Sequence, residues 1–242
     1  MAAVIVAAAV AVGLSGCGGS SPSPSASATP TGSSSSPSDG ATTTGDPNAA
    51  QLLKQAQAAA SSASSVTVKG TVPSDGKVVT VDMSMGTDSG SGTIDVGGMT
   101  ISIIRVGSDV YFSADDAFWT STAGPAAAKL FSGKWVKIPA TTQGFDSFAQ
   151  LSKVKSFMSG LFGDSGSNAN VEYVGTTDFQ GQSAYQLSDP KGTLYIAAEG
   201  EPFPLGLTGA KDQALTFSDW NAPLDVQAPP SADVVDLGQL QG

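Results

Sequence analysis

Four groups of residues have the types and spacing that chemistry needs. Gly163-Asp164-Ser165-Gly166 holds a serine among small residues, a setting that suits a nucleophilic hydroxyl. Such a serine needs a positioned base, most often His, and the chain contains no His; the segment reads as a Gly/Ser turn after a helix. Ser-x-x-Lys occurs three times, at Ser74–Lys77, Ser152–Lys155 and Ser188–Lys191. Two of these fall in turns, and no Lys-Thr-Gly accompanies them. The carboxylates Asp115-Asp116 and Glu199/Glu201 are candidates for a glycosidase-type pair, but their loop settings predict solvated charge. Asp88 and Asp95 flank Ser89-Gly90-Ser91-Gly92, too few ligands at regular spacing for calcium. The sequence therefore assigns no catalytic residue, no metal ligand and no cofactor, and predicts a protein that is not an enzyme.

One residue remains whose chemistry is specific. Residues 2–12 form an apolar run, followed by Gly13, Leu14, Ser15, Gly16 and Cys17. The run is too short for a spanning helix, which needs about 20 apolar residues, and has the length of a signal-peptide core. Leu14-Ser15-Gly16-Cys17 resembles the lipobox of bacterial lipoproteins. That resemblance implies diacylglyceration of the Cys17 thiol and cleavage just before it. The segment departs from the pattern in having no Lys or Arg ahead of the apolar run. Residues 1–16 are thus expected to be a lipoprotein-type signal peptide. Cys17 would anchor the chain on the outer face of the plasma membrane, within the cell envelope.

Composition agrees with an exported domain on a tether. The net charge is −10, and all eleven Lys and Arg lie at or after Lys54. Without a basic cluster there is no electrostatic reason to bind nucleic acid or anionic headgroups. Cys17 is the single Cys, so no internal disulfide forms. Charged residues make up 13% of the chain, against roughly 25% in typical soluble domains. Residues 17–45 comprise Cys17 and then almost only Gly, Ser, Pro, Thr and Ala. Such a segment buries too little apolar surface to offset its ordering entropy, and as a coil it reaches roughly 30 Å.

Residues 46–242 are long enough to bury one core and read as a single domain. Asp46-Pro47 predicts a helix start, with Leu52, Leu53, Ala56, Ala59, Ala60 and Ala63 as its apolar stripe. Strands follow, with alternating apolar residues at Val66–Val72, Val79–Met85, Ile94–Val96 and Ile101–Ile103, then Asp109–Phe112. Pro73-Ser74-Asp75-Gly76 is a predicted turn. Gly124–Phe131 predicts a short helix after Ala117-Phe118-Trp119, and Lys134–Ile138 a strand. Phe148, Leu151, Val154, Phe157, Met158, Leu161 and Phe162 fall at helical spacing within residues 145–162. Strands resume at Val171–Thr176, Ser183–Leu187, Thr193–Ala197, Leu205–Thr208 and Ala214–Phe217, and the Pro-rich tail from Asn221 reads as coil. The order strands, helices, strands predicts α+β, with about ten antiparallel strands curling over helices.

This order of parts, with Asp109-Val110-Tyr111-Phe112, Phe118-Trp119, Gly133-Lys134-Trp135-Val136 and Phe217-Ser218-Asp219-Trp220-Asn221, resembles the actinobacterial envelope lipoproteins of the LppX/LprG type. The resemblance implies a LolA-like fold: an open antiparallel half-barrel over helices, with an apolar cavity. It also implies a carrier of acyl lipids or glycolipids across the envelope, with an envelope transport partner. The candidate cavity wall is Val79, Val81, Met83, Met85, Ile101, Ile103, Phe118, Trp119, Leu130, Phe131, Trp135, Leu151, Val154, Met158 and Leu161. Read from the residues alone, the same side chains also suit a plain core. The competing readings are a non-catalytic envelope scaffold or protein-binding module with no lipid ligand, and a saccharide enzyme with two acids in a cleft.

Overall fold

The computed structural model describes residues 48–74, 76–139, 153–162, 171–209 and 212–237, within the compact unit Asp46–Gly242. The leader, Cys17, the linker to residue 45, Asp46-Pro47, Leu151 and Gly163-Asp164-Ser165-Gly166 lie outside the described residues.

The first helix, α1 (Ala49–Ser62), is capped by Asn48, not by Asp46: the Asn48 side chain accepts the Gln51 N–H at 3.0 Å. An Asx side chain there satisfies one of the amide donors that the first turn leaves unpaired. The buried stripe Leu52, Leu53, Ala56, Ala59 and Ala60 is the one its spacing predicts.

Five strands follow: β1 (Ser65–Ser74), β2 (Lys77–Gly86), β3 (Ser89–Val96), β4 (Met99–Val106) and β5 (Asp109–Ala114). Pro73 lies inside β1, opposite Val78, rather than in the turn. The Ser89-Gly90-Ser91-Gly92 stretch weighed as a cation loop is strand, paired to β2 with Gly90 opposite Met85 and Gly92 opposite Met83. Glycine fits there because a Cβ at Gly92 would overlap the Asp82 carbonyl oxygen and the Met83 backbone.

Two helices come next. α2 (Asp116–Ala123), which the sequence reading missed, is capped by Asp115, whose side chain accepts the Phe118 N–H at 2.7 Å. α3 (Pro125–Phe131) follows with Pro at its first position. Then come β6 (Trp135–Pro139), α4 (Val154–Phe162), β7 (Glu172–Phe179), β8 (Gln182–Asp189), β9 (Gly192–Ala197), β10 (Pro204–Gly209) and β11 (Ala214–Ser218). The tail is not all coil. It carries a 3-10 turn at Ser231–Asp233 and a last strand, β12 (Val234–Asp236), which runs parallel to β6 with Val235 opposite Val136.

Among the described residues the strands form one twelve-stranded sheet, in the order β12-β6-β5-β4-β3-β2-β1-β11-β10-β9-β8-β7. It consists of two antiparallel meanders, β1 to β6 and β7 to β11, laid side by side where β1 meets β11. The sheet curls but does not close, with β12 and β7 at its edges. The fold is α+β, a mostly antiparallel open sheet with few helices, as the order of elements predicts.

Residues directly opposite one another on paired antiparallel strands share a face. One such row runs through Ala114, Ile101, Ile94, Val81, Gly70, Leu215, Leu207, Leu194, Leu187 and Tyr173. It crosses ten adjacent strands, and of its side chains only that of Tyr173, at one end, carries a polar group. A neighbouring row runs through Val136, Phe112, Ile103, Gly92, Met83, Val68 and Phe217. The helices lie on this face. Leu52, Leu53 and Ala56 of α1 pack on Leu187, Leu194 and Ile196. Farther along, Ala60 of α1 and Ala63 just past its end join Val154 and Met158 of α4 over Val66, Val68, Met83, Met85, Leu215 and Phe217. Trp119 and Ala128, from α2 and α3, pack on Ile101, Ile103, Phe112, Val136 and Ile138.

The other face carries an ion pair with a pH signature. Lys137 Nζ lies 2.9 Å from Asp109 Oδ2 across β5 and β6. The hydrogen bond to Asp109 raises the lysine pKa above its ordinary value of 10.5, with burial opposing it more weakly. A raised lysine pKa contributes stability that is fully present below the unfolded value and is lost as pH climbs through the folded one. Lys137→Met is therefore expected to lower the melting temperature at pH 7, and the gap from wild type should narrow above pH 10.5. A constant gap across a series of melts from pH 7 upward would contradict this.

Candidate functional site

The predicted wall residues fall into two groups on the helix-covered face. Met83 and Met85 of β2 are buried together with Val154 and Met158 of α4. Ile101 and Ile103 of β4 are buried together with Trp119 of α2, with Phe118 and Phe131 half-buried against them. Val81 packs against the first group, and Ile94, its partner across β2 and β3, touches both. Both Val81 and Ile94 remain half-buried, as do Val79 and Trp135. Leu130 stands apart: it is 58% exposed on α3. Leu161 falls in the last turn of α4.

The second group is an aromatic nest. The Phe112 ring stands edge-on to Phe118 and to Trp119, each at 5.4 Å, and Phe118 and Trp119 meet edge-on at 5.5 Å. Phe131 lies 4.8 Å from Trp119 on another side. Edge-to-face rings at these separations add about 0.5–1.5 kcal/mol each beyond the area they bury. Local sequence sets the nest: the Asp115 cap starts α2 so that Phe118 and Trp119 enter on its first turn. Asp115 also accepts the Thr100 N–H at 2.9 Å, which ties the helix start to β4. Among the described residues the indole Nε1 of Trp119 has no hydrogen-bond partner, although the residue is only 8% exposed. A buried donor left unpaired costs about 1–3 kcal/mol.

Sequence reasoning overlooked Arg105, which lies on β4 at the inward positions of Ile101 and Ile103 and is 2% exposed. Its guanidinium donates to the carbonyl oxygens of Gly86 (2.9 Å), Thr87 (3.2 Å), Ser89 (3.1 Å) and Gly107 (3.4 Å). It thereby clamps the turn between β2 and β3. Burial lowers its pKa from the ordinary value, and the Asp88 carboxylate opposes that shift. The period-2 alternation Ile101, Ile103, Arg105 was the available signal, since a charge at an inward position needs backbone acceptors to be tolerated.

Beside that turn a cleft of about 770 Å³ opens between the end of α1 and the start of α4, lined by residues 61–63, 86–87 and 153–156. Four of its nine lining residues carry hydroxyls and two are the lysines Lys153 and Lys155. Val154 is shared between this cleft and the apolar face.

The residues weighed for catalysis have structural roles or lie apart. Asp115 caps α2, and Glu199 and Glu201 are exposed. Asp95 accepts the Gly98 N–H at 3.0 Å and the Thr100 hydroxyl at 3.2 Å in the turn between β3 and β4. Ser74 and Lys77 face each other as the last pair of the first hairpin.

With this geometry in hand, comparison with solved structures gives a likeness. The chain is similar to a mycobacterial lipoprotein. The crystal structure of the lipoprotein LppX of Mycobacterium tuberculosis aligns over 76% of this chain and 100% of its own, at 16% identity and a TM-score of 0.46. An uncharacterized conserved protein of Thermus thermophilus aligns over 77% of this chain and 97% of its own, at 14% identity and a TM-score of 0.34. No family model and no curated protein matches the sequence.

Proposed function

We propose that this chain is a membrane-anchored extracytoplasmic lipoprotein that binds an acyl lipid or glycolipid on the helix-covered face of its sheet and carries it within the cell envelope. The observation that supports this most is the apolar row across ten strands in which the neighbours Val81 and Ile94 stay half-buried where the two packed groups meet. A solid core would bury those two as it buries Leu215, farther along the same row and 2% exposed. An apolar seam between the helix pairs is what an acyl chain needs. Each methylene exposed to water costs about 0.8 kcal/mol, so a C16 chain leaving a bilayer unsheltered faces on the order of 12 kcal/mol. Such a carrier requires no catalytic group, and a lipid on Cys17 with the linker behind it would keep the domain near a donor membrane.

The test is native mass spectrometry of residues 46–242, made in a host that supplies envelope lipids and purified without detergent, with organic extraction of the same sample. A stoichiometric acyl lipid is expected. Val81→Trp, which fills the seam with an indole, is expected to reduce its occupancy at least tenfold while the fold is kept. An apo mass that stays unchanged on incubation with lipid vesicles would overturn the reading. A protein-binding module would then lead, which Val174, 56% exposed on the edge strand β7, favours.

A further inference from the structure

The unpaired indole of Trp119 is the feature that packing alone does not explain. Its Nε1 is buried with no partner among the described residues. The rings around it, Phe112, Phe118 and Phe131, offer edges and faces but no side-chain oxygen. Buried side-chain donors in folded proteins are nearly always paired. A phenylalanine would fill such a nest without leaving a donor stranded, so the indole is a costly choice unless something accepts its proton.

We propose that Trp119 Nε1–H is a specificity determinant: it donates a hydrogen bond to a neutral oxygen acceptor on the bound ligand, such as the carbonyl of an acyl ester, and so sets where the head of the chain stops. The inference rests on the carriage reading given above, and adds the atom that registers the ligand. The chemistry favours a neutral acceptor over an ionised carboxylate. A single indole donor among aromatic rings cannot compensate a buried charge. The position also suits the role. Trp119 belongs to the buried group on one side of the seam, and half-buried Phe118 and Phe131 pack against its ring. The hydrocarbon would then run along Ile94 and Val81, away from the nest.

The test uses the full chain carrying Cys17→Ser, so that no covalent acyl group competes, labelled with nitrogen-15. Two probes of similar length are added separately: methyl palmitate, which carries an ester carbonyl, and octadecane, which carries no acceptor. The Trp119 indole N–H signal is assigned by its loss in Trp119→Phe. It is expected to move downfield with methyl palmitate and to stay in place with octadecane. Trp119→Phe is expected to weaken methyl palmitate binding about tenfold, the loss of one hydrogen bond in a dry site, and to leave octadecane binding unchanged. If both probes bind but move the signal alike, or the variant binds both as the wild type does, the indole is not the anchor, and the carriage reading survives without it. If neither probe binds the wild-type chain, the carriage reading itself falls and takes this inference with it.

Discussion

Arg105→Leu is expected to lower unfolding stability by about 3 kcal/mol, read as a shift in the urea midpoint. Arg105 is 2% exposed and its guanidinium serves four carbonyl oxygens, three of them in the turn from Gly86 to Ser89. Two effects oppose each other. Removing the charge relieves the burial cost that lowers the arginine pKa. Leaving the carbonyls without a donor costs more, because hydrogen bonds from a charged group are worth about 1.5–3 kcal/mol each and Gly86 is itself buried. Leucine matches the apolar neighbours and so isolates the loss of the donor. Arg105→Lys should recover only part of the loss, since an ammonium is a compact donor that does not reproduce the planar fork. A leucine variant within about 1 kcal/mol of wild type would mean that the clamp is incidental.

Gly70→Ala is the second large effect, with an expected loss of more than about 3 kcal/mol and a drop in soluble yield. Gly70 has φ +138°, a conformation that side chains rarely adopt, and a Cβ there would overlap the Ala214 carbonyl oxygen on β11. The clash is with backbone, so no rotamer change relieves it. It also falls at the joint of the sheet, since β1 and β11 are the strands that unite the two meanders. The expected signature is selective: amides of β1 and β11 should lose hydrogen-exchange protection before those of β4, β5 and β8. Uniform loss across all strands, or a loss under about 1 kcal/mol, would contradict the account.

Much of the fold was legible because half-buried strands advertise themselves. Val66 and Val68, Val79 to Met85, and Ile101 and Ile103 alternate with polar residues, and each pattern lies within the strand it predicted. Val154, Phe157 and Met158 gave away α4 by their spacing. The errors have physical causes too. Asp46 and Asn48 are both fit to cap, and propensity alone does not choose between them. Helix α2 was hidden because Phe118, Trp119, Thr120 and Thr122 prefer strands, and tertiary packing of the aromatic nest overrode them. Ser89-Gly90-Ser91-Gly92 looked like a loop, yet it is a strand whose glycines let β2 and its methionines come close. The tail looked like coil from its prolines, and only the pair Val234-Val235 hinted at β12. For the candidate site, the apolar residue types were readable and their division into two groups was not. That division depends on register across strands that the sequence separates widely, and the unpaired indole depends on atoms that no sequence pattern specifies.

The meeting of β1 and β11 has a consequence for how the chain reaches this fold. Each meander is built from neighbours in sequence, so apart from the β5–β6 link, which carries α2 and α3, its hairpins close over short loops and can do so early. The joint pairs Lys69 with Thr216, and the Thr216 hydroxyl bonds the Lys69 carbonyl across 147 positions of chain. A chain emerging amino end first completes β1 to β6 while β11 is still to come. Throughout that interval β1 is a bare ten-residue edge with unpaired amides and carbonyls, the kind of template on which chains stick to one another. The order of strands in the finished sheet thus makes the wait for β11, rather than any step within either meander, the interval in which a nascent molecule is most exposed to its neighbours.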